Sequence, residues 1–371
     1  MSQTATPIEA TDETPDIEGE FAPRLTTALV GHGRAQESFV SAAQSGRLPH
    51  AWLLSGPKGV GKASFAYMVA RAILSADDPK HIQQLSPAPD SAAARLIESS
   101  IHPDLHILKR RFNDKTGKFR NDISVDETRQ MIEAFQLSAA QGGWRVAIID
   151  SVDEMNKNSV NALLKLIEEP PEKCLFLIVC HYPGRLLDTI RSRCRVLPFN
   201  RLNEEELQQI IAGKLQTIDP NEAAAAAFLA DGSVGRALSL AEFGGFDLYR
   251  DMISVLESLP QLDIERLHGL AGRFGARSEP ESFRLFCYLY SSWLHRLSRC
   301  MAGGDVYQPV FEGEADLAAR LVGGQLPLEP TVALWENTQQ QIRQVEALNL
   351  DKKQAVLDWL GALANITRAT A

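Results

Sequence analysis

The sequence has few cysteines, no long apolar run and only 7% aromatic residues among its 371 positions. None of the five cysteines forms a CxxC pair, so we expect buried, reduced thiols and neither a disulfide framework nor a cysteine zinc site. The longest apolar runs, Cys174–Cys180 and Ala223–Ala230, are far shorter than the roughly 20 residues of a membrane-spanning helix. The first residues lack the basic-then-apolar pattern of a signal peptide, which predicts a cytoplasmic protein.

Basic residues are missing from the first 20 positions, which carry six acidic side chains. Together with Thr and Pro, this composition predicts a disordered acidic tail over residues 1–22. The formal net charge of the chain is -9, so the remainder is close to neutral and neither supports nor excludes a nucleic-acid partner. The hydrophobic content of 44% and the charged content of 23% are typical of a soluble globular chain, here long enough for two or three domains.

A glycine-rich segment, GPKGVGK at 56–62, follows a short apolar run and precedes an amphipathic helical pattern. Its three glycines let successive backbone N–H groups turn toward an anion, and the helix adds its positive dipole end. The ammonium of Lys62 would lie over the β and γ phosphates of a nucleotide. The segment therefore predicts a phosphate-binding loop; a glycine-rich turn without a ligand is the alternative.

One position of this loop does not fit metal-dependent chemistry. The residue after Lys62 should offer a Ser or Thr hydroxyl to Mg²⁺, and it is Ala63. Ser64 is not a simple substitute, because one residue along a helix rotates the side chain by about 100°. We expect a loop that can hold phosphate but is poorly equipped to hold the metal.

The apolar run at 144–150 ends in an acid, Asp150. A parallel strand would deliver this carboxylate to its C-terminal edge, beside the phosphate loop, where it would hold Mg²⁺ through water; a helix-capping Asp is the alternative. Hydrolysing proteins of this class usually have Glu next, whereas Ser151 cannot accept a proton at neutral pH. Asp153 and Glu154 would need an unusual turn to substitute. The candidate nucleotide-binding residues are Gly56, Gly59, Gly61, Lys62, Ala63 and Asp150.

Strand and helix patterns alternate between residues 50 and 200, which predicts a parallel, doubly wound α/β domain over residues 23–200. Strand signals then disappear: short helical segments predict a three-helix unit over residues 201–243, and longer apolar stripes predict a helical domain over residues 244–371. These stripes are Phe283, Phe286, Tyr290, Trp293 and Leu297; Val332, Trp335, Ile342 and Val345; and Val356, Trp359, Leu360 and Leu363.

Two connecting segments have a distinct composition. Basic residues between Lys109 and Arg120 surround Asn113-Asp114 and Gly117, which predicts a basic hairpin. A contact with the DNA backbone and a solvated hairpin are both open, and the second is favoured. Residues 76–91 are rich in Asp, Pro and Ser and predict a surface loop.

Several linked motifs carry a family resemblance. The sequence resembles the clamp-loader branch of the AAA+ ATPases in GPKGVGK (56–62), VAIID (146–150), NALLKLIEEPPE (161–172) and SRC (192–194). It is similar in particular to the delta-prime subunit family of the bacterial DNA polymerase III clamp loader in HPDLHIL (102–108), SGRLPHAWLLSGPKG (45–59) and ALNLDKKQAVL (347–357). The resemblance covers essentially all of the chain after residue 25, and its most specific part is the segment 161–172 followed by SRC.

The resemblance implies an AAA+ P-loop domain, a three-helix lid and a C-terminal helical collar that holds a five-subunit ring together. The implied partners are the gamma/tau and delta subunits and, through the complex, the sliding clamp and primed DNA. ATP would sit at subunit interfaces, where Arg193 of SRC would act as a trans arginine finger on a neighbour. Such a guanidinium contributes on the order of 10³–10⁵ in rate. An Arg193 that pairs with a local carboxylate at a helix end is the alternative.

Departures from the family pattern fall on hydrolysis. Besides the changes at Ala63 and Ser151, the lid motif Gly-Ser-x-Arg has Gly235 in place of its arginine, and Arg236 is one residue late. Many relatives carry a four-cysteine zinc module after the phosphate-loop helix, but residues 75–105 contain no cysteine, so we expect no zinc or other metal site.

We therefore expect a structural, non-hydrolysing ring subunit for DNA replication, with ATP possible at a degenerate site. One alternative is an active ATPase that uses Lys62 and Asp150, with water or Ser64 replacing the lost metal ligand. Another is a nucleic-acid-binding module that acts through residues 109–120.

Overall fold

The computed structural model describes residues 21–85, 91–113, 118–120, 122–137, 139, 143–215, 218–275, 280–304 and 306–370. The chain divides into two compact units, one of residues 17–206 and one that includes residues 207–371. Among the described residues, no helix combines the length and the apolar character that a bilayer crossing requires. The predicted acidic tail, residues 1–22, lies almost entirely outside the described residues.

A parallel sheet organises the first unit. Its strands within the described residues are β1 (Ala51–Ser55), β2 (Leu105–Lys109), β3 (Phe112–Asn113), β4 (Lys118–Phe119), β5 (Arg145–Asp150), β6 (Cys174–Cys180) and β7 (Arg195–Pro198). Five of them form a parallel sheet in the order β2-β5-β6-β1-β7, and β3 pairs antiparallel with β4. The parallel α/β pattern predicted between residues 50 and 200 is therefore confirmed, and the apolar runs 144–150 and Cys174–Cys180 form β5 and β6. The C-terminal ends of β1, β5 and β6 therefore meet at one edge.

Helices cover both faces of this sheet. They are α1 (Gly33–Gln44), α2 (Lys62–Ser75), α3 (Ala92–Glu98), α4 (Val125–Gln136), α5 (Lys157–Glu168) and α6 (Asp188–Arg191). Alternate residues of β1 point to opposite faces, so Trp52 packs with α1 and α2, whereas Leu53 packs with α4 and α5. Both side chains are at most 1% exposed. Burying such a side chain contributes about 1.5–3 kcal/mol, and the two cores fix the sheet between its helices.

The second unit is helical throughout its described residues. Its helices are α7 (Glu204–Lys214), which crosses the boundary, α8 (Pro220–Leu229), α9 (Val234–Glu242), α10 (Gly245–Leu256), α11 (Ile264–Gly272), α12 (Pro280–Met301), α13 (Glu314–Arg320), α14 (Leu328–Leu348) and α15 (Lys352–Thr370). The three helices predicted for residues 201–243 are observed as α7, α8 and α9. The separation of this unit into a lid and a collar stays a prediction.

Two of the three predicted apolar stripes are confirmed, since their residues on α12 and α15 are all buried. The stripe on α14 is correct only in its second half. Leu334 and Thr338 are buried there, whereas Val332 and Trp335 remain partly exposed. The buried face of α14 includes small polar side chains as well as apolar ones. A prediction based only on large apolar residues therefore assigns the wrong face to the first half of the helix.

The connecting segments are a mixture of confirmed and corrected predictions. The basic hairpin is present as the β3–β4 pair, although residues 114–117 lie outside the described residues. The surface loop predicted over residues 76–91 is wrong in part, because Ile82 and Leu85 are buried in the core beside α2. These two apolar side chains anchor a segment whose composition is otherwise typical of a loop. The composition also gave no signal for α3.

Candidate nucleotide-binding site

The glycine-rich loop between β1 and α2 depends on glycine at three positions. Gly56, Gly59 and Gly61 have φ angles of 150°, 75° and 107°, a region that residues with a side chain rarely adopt. A Cβ atom on Gly56 would lie 2.0 Å from the carbonyl oxygen of Phe199, so that position also has no room for one. The loop thus has the glycine-dependent backbone that an anion cradle requires.

Lys62 begins α2 and lies against the loop. Its side chain is 3% exposed, and its Nζ donates to the carbonyl oxygen of Gly56 at 2.5 Å and to that of Pro57. The ammonium group is therefore held inside the curve of the loop, next to the N-terminal end of a helix. Both features favour an anion at this position.

The hydroxyl groups near the loop do not replace the missing metal ligand. Ala63 has none, and the hydroxyl of Ser64 accepts a hydrogen bond from Thr26 Oγ1 at 3.0 Å. This contact turns Ser64 toward the segment that precedes α1. It leaves the loop without a hydroxyl at the position where a Mg²⁺ ion would need one.

A buried histidine, His32, contacts the backbone of the loop. His32 is 6% exposed, and its Nε2 lies 2.7 Å from the carbonyl oxygen of Val60. Burial lowers the pKa of His32, so the neutral ring donates Nε2–H to that carbonyl. Sequence reasoning missed this contact, because an isolated histidine before α1 belongs to no motif or periodic pattern.

Asp150 is the last residue of β5 and lies at the same sheet edge as the loop, with β6 between β5 and β1. The structure thus brings the loop residues and Asp150 to one edge, as the sequence predicts. Ser151, at the position where a hydrolysing relative has Glu, is 1% exposed and has no carboxylate.

Asp153 and Glu154 are both engaged elsewhere. The carboxylate of Asp153 accepts the backbone N–H of His181 at 2.5 Å and that of Tyr182 at 3.1 Å, where it caps the end of β6. Glu154 forms an ion pair with Arg110 at 2.8 Å. The two carboxylates hold the chain around the sheet edge, and neither lies where a catalytic Glu would follow Asp150.

Arg193 lies at the other end of the sheet. Strands β1 and β7 are parallel, with Trp52 opposite Arg195 and Ser55 opposite Pro198. The loop follows Ser55, whereas Arg193 comes two residues before β7 begins. A strand rises about 3.3 Å per residue, so roughly 10 Å of sheet separates Arg193 from the edge that carries its own loop.

The Arg193 side chain is 40% exposed and contacts its own chain at three points, one of which is a long contact from Nη1 to the Ser192 hydroxyl at 3.4 Å. Its Nη2 lies 2.8 Å from Oε1 of Glu168, and its Nη1 donates to the carbonyl oxygen of Thr189 at 3.0 Å. The local ion pair that the sequence left as an alternative is therefore present. Because Glu168 is 44% exposed as well, the pair is weak and can be exchanged for another contact.

Comparison with known proteins agrees with these features. Residues 31–203 match the family model described as DNA polymerase III, delta subunit. The chain is 30% identical over 175 residues to the DNA polymerase III subunit delta' of Bacillus subtilis (strain 168), and 34% identical over 145 residues to that of Pseudomonas aeruginosa. It is 28% identical over 256 residues to the DNA polymerase III subunit tau of B. subtilis. Over this part of its length, the chain is similar to clamp-loader subunits of DNA polymerase III.

The matches cover 47%, 39% and 67% of the chain. They span 49%, 41% and 43% of the respective relatives, which is less than half of each. Among solved structures, a gamma subunit-related protein of Thermotoga maritima aligns over 89% of the chain with 16% identity and a TM-score of 0.41, too low to bear on the fold. The strand order of the sheet and the glycine-rich loop after β1 themselves show a parallel α/β domain with a P-loop.

Arg236, the arginine that comes one residue late for the Gly-Ser-x-Arg motif, is buried. Arg236 is 4% exposed, and its Nη1 donates to the carbonyl oxygen of Ala230 at 3.1 Å and to the hydroxyl of Tyr288 at 2.9 Å. Its guanidinium also lies 4.5 Å from the centre of the Tyr288 ring. The arginine that comes one residue late for the family motif thus joins α8, α9 and α12 within the helical unit.

Three arginines of the basic hairpin are paired with glutamates. Arg111 and Arg120 approach Glu127 at 3.2 Å and 3.6 Å, and Arg110 pairs with Glu154. Glu127 also forms a capping box with Ser124 at the start of α4. These pairs attach the hairpin to α4 and to the segment that follows β5. They favour the interpretation of a solvated hairpin that does not contact DNA.

Proposed function

We propose that this chain is a delta-prime type of clamp-loader subunit that does not hydrolyse ATP and supplies Arg193 to the ATP site of a neighbouring subunit. In a cytoplasmic ring with gamma/tau and delta, it would help to open a sliding clamp and close it around primed DNA. The observation that supports this proposal most is the location of Arg193 at the sheet edge opposite its own phosphate loop. An arginine so placed is better suited to another subunit's nucleotide than to its own.

The loop fits the phosphates of ATP better than it fits the metal. Three glycines, the N-terminal end of α2 and Lys62 provide an anion cradle, whereas Ala63 provides no Mg²⁺ ligand. ATP supplies a transferable phosphoryl group, but Ser151 offers no carboxylate to orient water toward it. We therefore propose that ATP is at most a ligand here, held by Lys62 and the loop backbone.

The finger acts through charge. An arginine guanidinium carries a positive charge, so that of Arg193 can stabilise the negative charge that develops on the phosphate oxygens during transfer. It adds no proton-transfer step of its own. The neighbouring subunit would provide the metal ligands and the catalytic carboxylate that this chain lacks.

The deciding experiment replaces Arg193 in the assembled complex, reconstituted with the gamma/tau and delta subunits of the same organism. Arg193→Ala should lower ATP turnover at the neighbouring site by about 10³, because a finger contributes on that order, while the ring still assembles. Arg191→Ala is the matched control: it removes an exposed arginine two residues away and should leave turnover unchanged. Turnover that is equal in both variants would refute the proposal.

The second candidate function, an active ATPase, is tested on the isolated chain. It requires ATP turnover that Lys62→Ala abolishes. The contact between Ser64 and Thr26 speaks against it, since that contact engages the hydroxyl that would replace the metal ligand. We expect no turnover above background, with or without Mg²⁺.

A further inference from the structure

The guanidinium of Arg193 is folded back on its own chain. Its Nη2 pairs with the carboxylate of Glu168, the last residue of α5. Its Nη1 donates to the carbonyl oxygen of Thr189, four residues before Arg193 in the chain. Both terminal nitrogens of the side chain are therefore engaged. An arginine that binds phosphate most strongly does so through two parallel N–H donors, so this arrangement competes with a phosphate contact.

The pair between Arg193 and Glu168 is weak enough for a triphosphate to displace Glu168. Arg193 and Glu168 are 40% and 44% exposed, and exposed ion pairs favour the paired state only weakly. We take this preference to be about two- to fivefold, the range that such pairs show in double-mutant cycles. A triphosphate carries more negative charge than one carboxylate, and its contact with arginine is charge-assisted on both sides.

We propose that Glu168 is a latch: it holds Arg193 against its own chain until the triphosphate of a neighbouring subunit displaces it. This inference rests on the proposed function of Arg193 as a trans arginine finger. Glu168 is a positioning residue, because it acts on the reaction only through Arg193. It limits the fraction of molecules in which the guanidinium is free to contact a neighbouring subunit, and the apparent activity is proportional to that free fraction.

The latch can be tested in the isolated chain, without any partner. Phenylglyoxal modifies accessible guanidinium groups, and the rate at Arg193 can be followed by peptide mass spectrometry. Glu168→Gln keeps the shape of the side chain and removes its charge, so Arg193 should react about two- to fivefold faster. The control is Glu169→Gln, an equal change at the next, exposed residue, which should leave the rate unchanged. Equal rates in the two variants would overturn the latch.

The assembled complex provides the functional readout. At ATP concentrations below saturation, Glu168→Gln should raise turnover about two- to fivefold, and Glu168→Asp, which keeps the charge, should restore most of the latch. The gain should shrink at high salt, because exposed charges are screened. The double variant with Arg193→Ala should match Arg193→Ala alone, since Glu168 acts only through Arg193.

The two proposals fail differently. If Glu168→Gln lowers turnover, or leaves it unchanged while Arg193→Ala lowers it, the latch is wrong and the finger stands. If Arg193→Ala has no effect on turnover but Glu168→Gln speeds the modification of Arg193, the finger is wrong and the contact remains a local latch with another purpose.

Discussion

Two regions of the molecule use the same pair of residue types in opposite ways. In the first unit, Arg193 and Glu168 pair at 2.8 Å on the surface, where they are 40% and 44% exposed. In the helical unit, Arg296 and Glu314 pair at 3.1 Å, and the Glu314 side chain is fully buried. The distances are similar, so burial and the number of additional partners distinguish the two pairs.

The buried pair belongs to a larger network. Glu314 also accepts hydrogen bonds from Tyr249, at 2.5 Å, from Tyr307, and from the backbone N–H of Val310 at 2.7 Å. Burial raises the pKa of both tyrosines, so each phenol stays neutral and can donate. This carboxylate is satisfied from several sides, as a buried charge must be.

The comparison shows which arginines can act outside the chain. An arginine within a buried network cannot leave without stranding its partner's charge, whereas an exposed one can exchange one acceptor for another. Arg296, which pairs with a fully buried carboxylate, belongs to the first kind, and Arg193 belongs to the second. Arg236, 4% exposed, is held in place by hydrogen bonds to Ala230 and Tyr288. A nearby carboxylate is therefore no argument against an arginine finger, whereas burial of the arginine side chain would be one.

The strongest challenge to this comparison is Glu314→Gln. It leaves Arg296, whose side chain is 19% exposed, without its fully buried counter-charge, so we expect the helical unit to lose about 3 kcal/mol of unfolding free energy, the lower end of the range for buried pairs. Hydrogen exchange of peptides from α12 and α13 would measure the loss in that unit specifically. Glu312→Gln, an exposed glutamate two residues away, is the control. A loss below about 1 kcal/mol would mean that the buried network does not stabilise the fold.

Arg236 provides a smaller test of the same point. Arg236→Met keeps the apolar stem but removes hydrogen bonds to Ala230 and Tyr288, and we expect a loss of about 2–3 kcal/mol in the helical unit. ATP turnover of the assembled complex, per folded ring, should stay the same. A selective loss of turnover with intact stability would instead assign Arg236 a role at a nucleotide.

Sequence patterns predicted most of the fold, because strands and helices are recorded in local periodicity. Cys174–Cys180 is one uninterrupted apolar run, and it is fully buried as β6. The loop could be predicted for the same reason, since its three glycines and Lys62 are neighbours in the chain. The position of Arg193 opposite the loop also follows once the strands are known to be parallel.

The contacts that tune the site could not be predicted, because they join residues far apart in sequence. Glu168 and Arg193 are 25 positions apart, and His32 reaches Val60 across 28. Asp153 could be recognised as an acid after a strand, but its bonds to the end of β6 depend on how the sheet is assembled. Local pattern identifies the groups, and tertiary packing decides which of them remain available.

The burial of His32 gives a prediction for how the stability of the first unit depends on pH. Burial lowers the pKa of His32 below 6.5, so the unfolded chain binds a proton more readily than the folded chain. The contribution of this residue to stability should therefore be complete above about pH 6.5 and should decrease as the pH falls below that value. Urea unfolding of the first unit at pH 5, 6 and 7 would measure it. His32→Gln keeps a donor for Val60 and should reduce the slope, while His102 and His106, whose pKa burial also lowers, account for the slope that remains. An unchanged slope would contradict the assignment.

The smallest expected effect sharpens the comparison most. Arg193→Ala removes an exposed pair, so the isolated chain should lose at most about 0.5–1 kcal/mol, and less at high salt. The same substitution should reduce turnover at the neighbouring site by about 10³, which corresponds to roughly 4 kcal/mol in the barrier. Arg193→Lys should likewise leave stability nearly unchanged, yet lose much of the activity, because an ammonium cannot donate through a planar fork. A stability loss above about 2 kcal/mol would place Arg193 with Arg296 among the buried, structural arginines, since exposed pairs do not contribute that much.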